Sequence, residues 1–140
     1  MRSLNITFME LLPILLAATI WRPRWQSCQV ICHCDNEAAV TVINKGSAKD
    51  PGLAQLLRCI SFYSAYFHFT LHAQHVSGCH NQTADALSRN KLKLFFSLCP
   101  QAQLTPEPIP KEVIRMAMST KVEWTSPAWR ALFRATLPKD

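Results

Sequence analysis

The sequence predicts an α/β fold in which two parallel strands share a layer with flanking helices. Two runs have strand character. Residues 28–34 are short, apolar and partly β-branched, as in a buried strand. In residues 68–76, Phe69, Leu71 and Ala73 alternate with His68, Thr70 and His72. The segment 35–67 between them carries helical spacing, and a strand–helix–strand crossover of that length joins parallel strands.

In chain order, Asn5 or Thr7 is placed to cap a first helix over 8–21, with Pro13 requiring local distortion unless the helix begins near it. Arg22-Pro23-Arg24 breaks that pattern, and the first strand follows. Asp35-Asn36 ends the strand, and 37–44 reads as a short helix closed by Gly46. Residues 45–50 form a polar loop. Pro51-Gly52 then opens a helix in which Leu53, Leu56, Leu57, Ile60 and Tyr63 recur at helical spacing. After the second strand, Ser77-Gly78 turns the chain, and Asn81 or Thr83 caps a last helix through Ala84 and Leu87. Two parallel strands alone make a poor sheet, because such sheets are covered on both faces and continue sideways. The layer therefore reads as incomplete.

Composition bounds the rest. A chain of 140 residues suits one domain, and 49% apolar residues exclude disorder throughout. The net charge of +6 favours a polyanionic partner. Pro100, Pro106, Pro108, Pro110, Pro127 and Pro138 crowd the end of the chain, so a domain over 4–90 is expected to give way to a proline-rich linker or tail over 91–140. The longest apolar run, 9–21, contains Glu10 and Pro13 and is shorter than the roughly 20 residues a membrane span needs. Trp21-Arg22-Pro23 stands where a signal peptide would need small residues. No membrane partner and a cytoplasmic or nuclear location are expected. Cys28, Cys32 and Cys34 share one parity and are expected to face a core as reduced thiols. No C-x-x-C pair is present, while Cys79 beside His80, with His72 and His75 nearby, keeps a zinc site open.

The chain has nine acidic residues, so their placement is informative. Glu10 lies in an apolar helix, where a lone carboxylate is costly to bury unless paired or metal-bound. Asp35 follows the end of a buried strand, where open α/β sheets bind ligands. Asp85 lies in the first turn of the last helix. The three acids can share a cleft, where divalent cations with oxygen ligands, Mg²⁺ or Mn²⁺, relieve their repulsion. On spacing alone an alternative stands beside this one: Asp35-Asn36 caps the next helix, and Glu10 and Asp85 complement helix dipoles.

Asp35-Asn36, followed by the block from His75 to Arg89 containing G-x-x-N-x-x-A-D-A-L-S-R, resembles the ribonuclease H domain of gypsy-like and DIRS-like retrotransposon reverse transcriptases. Glu10-Leu11-Leu12 with Trp21 fits that domain's first helix, and the similarity spans residues 5–90. Trp124-Thr125-Ser126-Pro127-Ala128-Trp129 is similar to the spacer before the tyrosine recombinase of DIRS-like elements. The resemblance implies a ribonuclease H-like fold lacking its first three strands, and two Mg²⁺ (or Mn²⁺) ions cleaving the RNA of RNA–DNA hybrids. Glu10, Asp35 and Asp85 would be the metal ligands, with Asp35 shared between the ions. His80 or His75 would protonate the leaving 3′ oxygen, although His75 also reads simply as the end of a strand. Asn36, Asn81, Arg89 and Lys45 would contact the nucleic acid, and Arg22, Arg24, Lys49, Lys91 and Lys93 can add phosphate contacts. The family's first catalytic Asp, on a strand before the first helix, has no counterpart, and an upstream reverse transcriptase segment would complete the sheet. The other expectation is a non-catalytic nucleic-acid-binding or interaction remnant of a retroelement polyprotein.

Overall fold

The computed structural model of the protein describes residues 6–118. Helix α1 (Ile6–Trp25) leads into strand β1 (Gln29–Cys34), then helices α2 (Glu37–Lys45) and α3 (Pro51–Phe67) and strand β2 (Thr70–His75). Three helices follow: α4 (Gln82–Ser88), α5 (Leu92–Leu98) and α6 (Lys111–Met118). The chain is mixed α/β, with β1 and β2 paired in parallel from Gln29↔Thr70 to Cys34↔His75.

Local signals set the middle elements. The Asn36 side chain accepts from the Ala39 N–H at 2.9 Å to start α2, and Gly46, at φ 72°, ends it in the left-handed conformation a side chain would resist. Asp50 caps α3 by accepting from the Leu53 N–H at 3.0 Å, and Pro51 fills the first turn. His68 takes the left-handed position that closes α3 (φ 55°), so β2 begins later than the alternation suggests.

The core lies between α1 and α3. Helix α1 buries Phe8, Leu11, Leu15 and Ala18, one stripe at helical spacing, against Leu53, Leu56, Leu57 and Ile60 of α3. Each fully buried Leu contributes about 1.5–3 kcal/mol. Phe69 and Ala73 bring β2 onto this core, and Ile43 brings α2. The outer edge of β2 is closed by one side chain. Asn44 donates from Nδ2 to the Ala73 carbonyl at 2.9 Å and accepts from the Ala73 N–H at 2.8 Å, standing in for a third strand.

Several expectations are corrected. Helix α1 does not stop at Arg22-Pro23-Arg24 but contains both Pro13 and Pro23. A proline at position 23 withholds the N–H that would bond the Thr19 carbonyl, and the Arg22 guanidinium donates to that carbonyl at 3.0 Å. Arg22 also lies over the Phe67 ring, 5.0 Å from its centroid, so it serves the fold. At 20 residues α1 is long and apolar enough, by length and composition, to cross a membrane; here its buried stripe packs on α3. The shared parity of the cysteines does not give shared burial. Cys34 is buried, Cys32 is half-buried and Cys28, which precedes β1, is exposed, because only the far end of β1 is covered. From residue 91 the chain is not simply extended: α5 packs on α4, and α6 puts Val113 fully into the main core. The tryptophan motif at 124–129 lies outside the described residues.

With Asn44 in place Ala73 is only 1% exposed, and the Asn44 amide supplies the partner for both of its backbone groups. Asn44→Ala is expected to destabilise the fold by about 1–3 kcal/mol. Chemical denaturation measures this, with exposed Lys45→Ala as a control expected within about 0.5 kcal/mol of wild type.

Candidate metal centre

Glu10 sits in the second turn of α1, and Asp35 is the first residue after β1. Their carboxylate oxygens and the Cys34 sulfur all lie within 4.8 Å of one another. Three levels of exposure meet there: Cys34 is buried, Glu10 half-buried and Asp35 exposed. The Cys34 thiol donates to Glu10 Oε2 at 3.9 Å and approaches the Asn36 carbonyl at 3.8 Å. Asp35 and Asn36 therefore divide two roles between neighbours. The Asp35 carboxylate belongs to the cluster, while the Asn36 amide caps α2.

The cluster opens on a cleft of about 360 Å³. Pro13, Ile14 and Ala17 of α1 form one wall, every residue from Val30 to Asp35 forms the floor, and Asn81 and Ala84 close the end. Successive residues of a strand point to opposite faces, so a cleft touching all of them runs along the strand's unpaired edge.

The other expected site residues lie apart from this cluster. Asp85, one residue past Ala84, accepts from Arg89 Nε at 3.0 Å, an ion pair one helical turn long. Arg89 is thus occupied as well. Asn81 borders the cleft, and its side chain makes no capping bond. His80 is exposed in a 3-10 turn, its Nδ1 sharing a hydrogen bond of 2.7 Å with Ser77 Oγ, and it does not line the cleft. His75 pairs with Cys34 across the ladder and is exposed. Lys45 is exposed at the far end of α2, about 13 Å along that helix from the cluster at 1.5 Å per residue. His72, His75, Cys79 and His80 form no compact ligand group among the described residues.

Glu10 and Asp35 are the oxygen donors a hard divalent cation takes, and the open cleft leaves room for its waters. Asp85, held by Arg89, does not complete a second position in this arrangement. Parity placed Cys34 toward a core, where it is indeed buried, but did not mark it as a member of this cluster. The adjacency of Cys34 to Asp35 at a strand end was the available signal.

Burial pushes the Cys34 thiol above its ordinary range, and the negative charges of Glu10 and Asp35 push it further the same way, against a lowering contact with the Asn36 backbone. Burial likewise raises Cys32, with Cys34 adding to it. Loss of a proton from Cys34 thus adds charge beside two carboxylates, so alkylation of Cys34 is expected to reach half its maximal rate above the usual free-thiol value of about 8.5. Glu10→Gln removes one negative neighbour and should shift the profile to lower pH. Peptide-resolved alkylation across a pH series measures both.

No protein-family model matches the chain, and no curated protein or solved structure matches it.

Proposed function

We propose that the chain corresponds to the part of a retrotransposon reverse transcriptase's ribonuclease H-like domain that follows its first three strands. Its reaction is metal-dependent cleavage of RNA in RNA–DNA hybrids, in the cytoplasm or nucleus. The observation that supports this most is the meeting of Glu10 and Asp35, far apart in sequence, at the C-terminal end of a parallel strand beside an open cleft. Glu10 and Asp35 would hold Mg²⁺ or Mn²⁺, which when bound supplies Lewis-acid stabilisation of phosphoryl oxygens and an activated water.

The protein's own residues set what else is required. The Asp85–Arg89 pair is half-exposed, and such pairs contribute about 0–1 kcal/mol. A phosphate of the hybrid is a competing partner for Arg89, and its capture of the guanidinium would release Asp85 at the end of the cleft. Asn81, already bordering the cleft, offers an amide to the same backbone. Exposed Arg24, Lys49, Lys91 and Lys93 add charge without reading sequence. His80 sits in the 77–80 turn and does not line the cleft, so acting as proton donor would require that turn to rearrange.

The Asp85–Arg89 pair also favours a second function, non-catalytic binding of nucleic acid, in which Asp85 stays occupied and only the cations act. The two separate in one assay on a labelled RNA–DNA hybrid. Cleavage with Mg²⁺ or Mn²⁺ that falls to background in Asp35→Asn supports the enzyme. Absence of cleavage, with binding that weakens steeply with salt and is unchanged in Asp35→Asn, supports the remnant.

A further inference from the structure

We infer that Cys34 makes the Glu10–Asp35 pair a mixed thiolate–carboxylate site that takes a thiophilic divalent ion, such as Zn²⁺, in preference to Mg²⁺. This inference shares its carboxylates with the hybrid-cleaving site proposed above but does not need that reaction to occur.

The three donor atoms lie within 4.8 Å of one another, and the sulfur is 3.9 Å from Glu10 Oε2. In a tetrahedral zinc shell the sulfur–oxygen edge is about 3.5 Å, given bonds of about 2.3 Å to sulfur and 2.0–2.2 Å to oxygen. At that edge, closing the shell needs a few tenths of an ångström, and the edges to Asp35 close from no more than 4.8 Å. Cys34 is 6% exposed, and its position is fixed from both sides by the ladder to His75 and the start of α2. The sulfur is aimed at a carboxylate, where an ordinary core thiol meets only hydrocarbon.

The donor set decides between ions. Mg²⁺ asks for near-octahedral oxygen and holds its waters, so a sulfur among the three donors offers it no ligand. Thiolate selects Zn²⁺ and its soft relatives. Three protein ligands leave a fourth position, and the 360 Å³ cleft opens it to water or another small ligand. On binding, the S–H bond breaks, the sulfur–metal bond forms and the proton leaves to solvent.

The test is a titration of the full chain with Co²⁺, whose thiolate-to-metal charge-transfer band reports sulfur ligation directly, followed by Zn²⁺ as competitor. It uses a Cys79→Ser background, because exposed Cys79 lies beside His80 and offers a separate thiolate. The expected result is one band that Zn²⁺ displaces and excess Mg²⁺ does not, abolished in Cys34→Ala. Asp35→Asn, at an exposed position, should keep the fold by circular dichroism and weaken Co²⁺ binding about 10- to 100-fold. No band, a band that survives in folded Cys34→Ala, or unchanged affinity in Asp35→Asn would overturn the inference. Because the readout is ligation, it separates from hybrid cleavage: a chain that never cuts RNA can still show the band, and one that cuts with Mg²⁺ can lack it.

Discussion

The parallel ladder between β1 and β2 is the constraint on which the rest depends. It places Cys34 beside His75, releases the chain at Asp35 and so fixes where the candidate site can form. A two-stranded parallel ladder has little stability of its own, and the structure supports it unequally. On the β2 side, Asn44 bonds both backbone groups of Ala73 and closes the edge. On the β1 side no strand is paired among the described residues, and the strand lines a cleft with α1. The helices carry the remaining load through the α1–α3 core, which Val113 of α6 joins. The fold is thus tight at one edge and open at the other, and the carboxylates sit at the open one.

Much of the fold was legible because the signals were local. Asn36 and Gly46 bracket α2, Asp50-Pro51 starts α3, and the spacing of Leu53, Leu56, Leu57, Ile60 and Tyr63 matches its buried face. What escaped depends on contacts between distant or side-chain groups. Pro23 reads as a breaker until Arg22 is seen to bond the Thr19 carbonyl that Pro23 leaves without a donor. Asn44 reads as a helix-end residue, and only the folded chain brings it to Ala73. Helix α6 follows a stretch with three prolines between 106 and 110, yet one buried valine ties it to the core.

The candidate site was legible by halves. Glu10 and Asp35 were singled out by chemistry, a charge in an apolar helix and a carboxylate at a strand end, and they do meet. Asp85 was chosen on the same grounds, and the structure gives it a nearer partner four residues on, in Arg89. Helical geometry brings residues four apart within reach of one another, which is how Asp85 meets Arg89. Cys34 was missed because alternation predicts the face of a side chain and not what covers it. Its neighbour across the fold proved to be a carboxylate, which adds to burial in raising the thiol.

The central claim is that Glu10 and Asp35 together form the divalent-ion site of this chain. Paramagnetic broadening by substoichiometric Mn²⁺ in amide NMR spectra tests it most directly, since Mn²⁺ accepts carboxylate oxygen and needs no reaction to be seen. Resonances of Leu11, Asp35 and Asn36 should broaden first, and the effect should vanish in Glu10→Gln and Asp35→Asn. Broadening centred on Asp85 or on Glu107 and Glu112, or none in a folded chain, would contradict the claim.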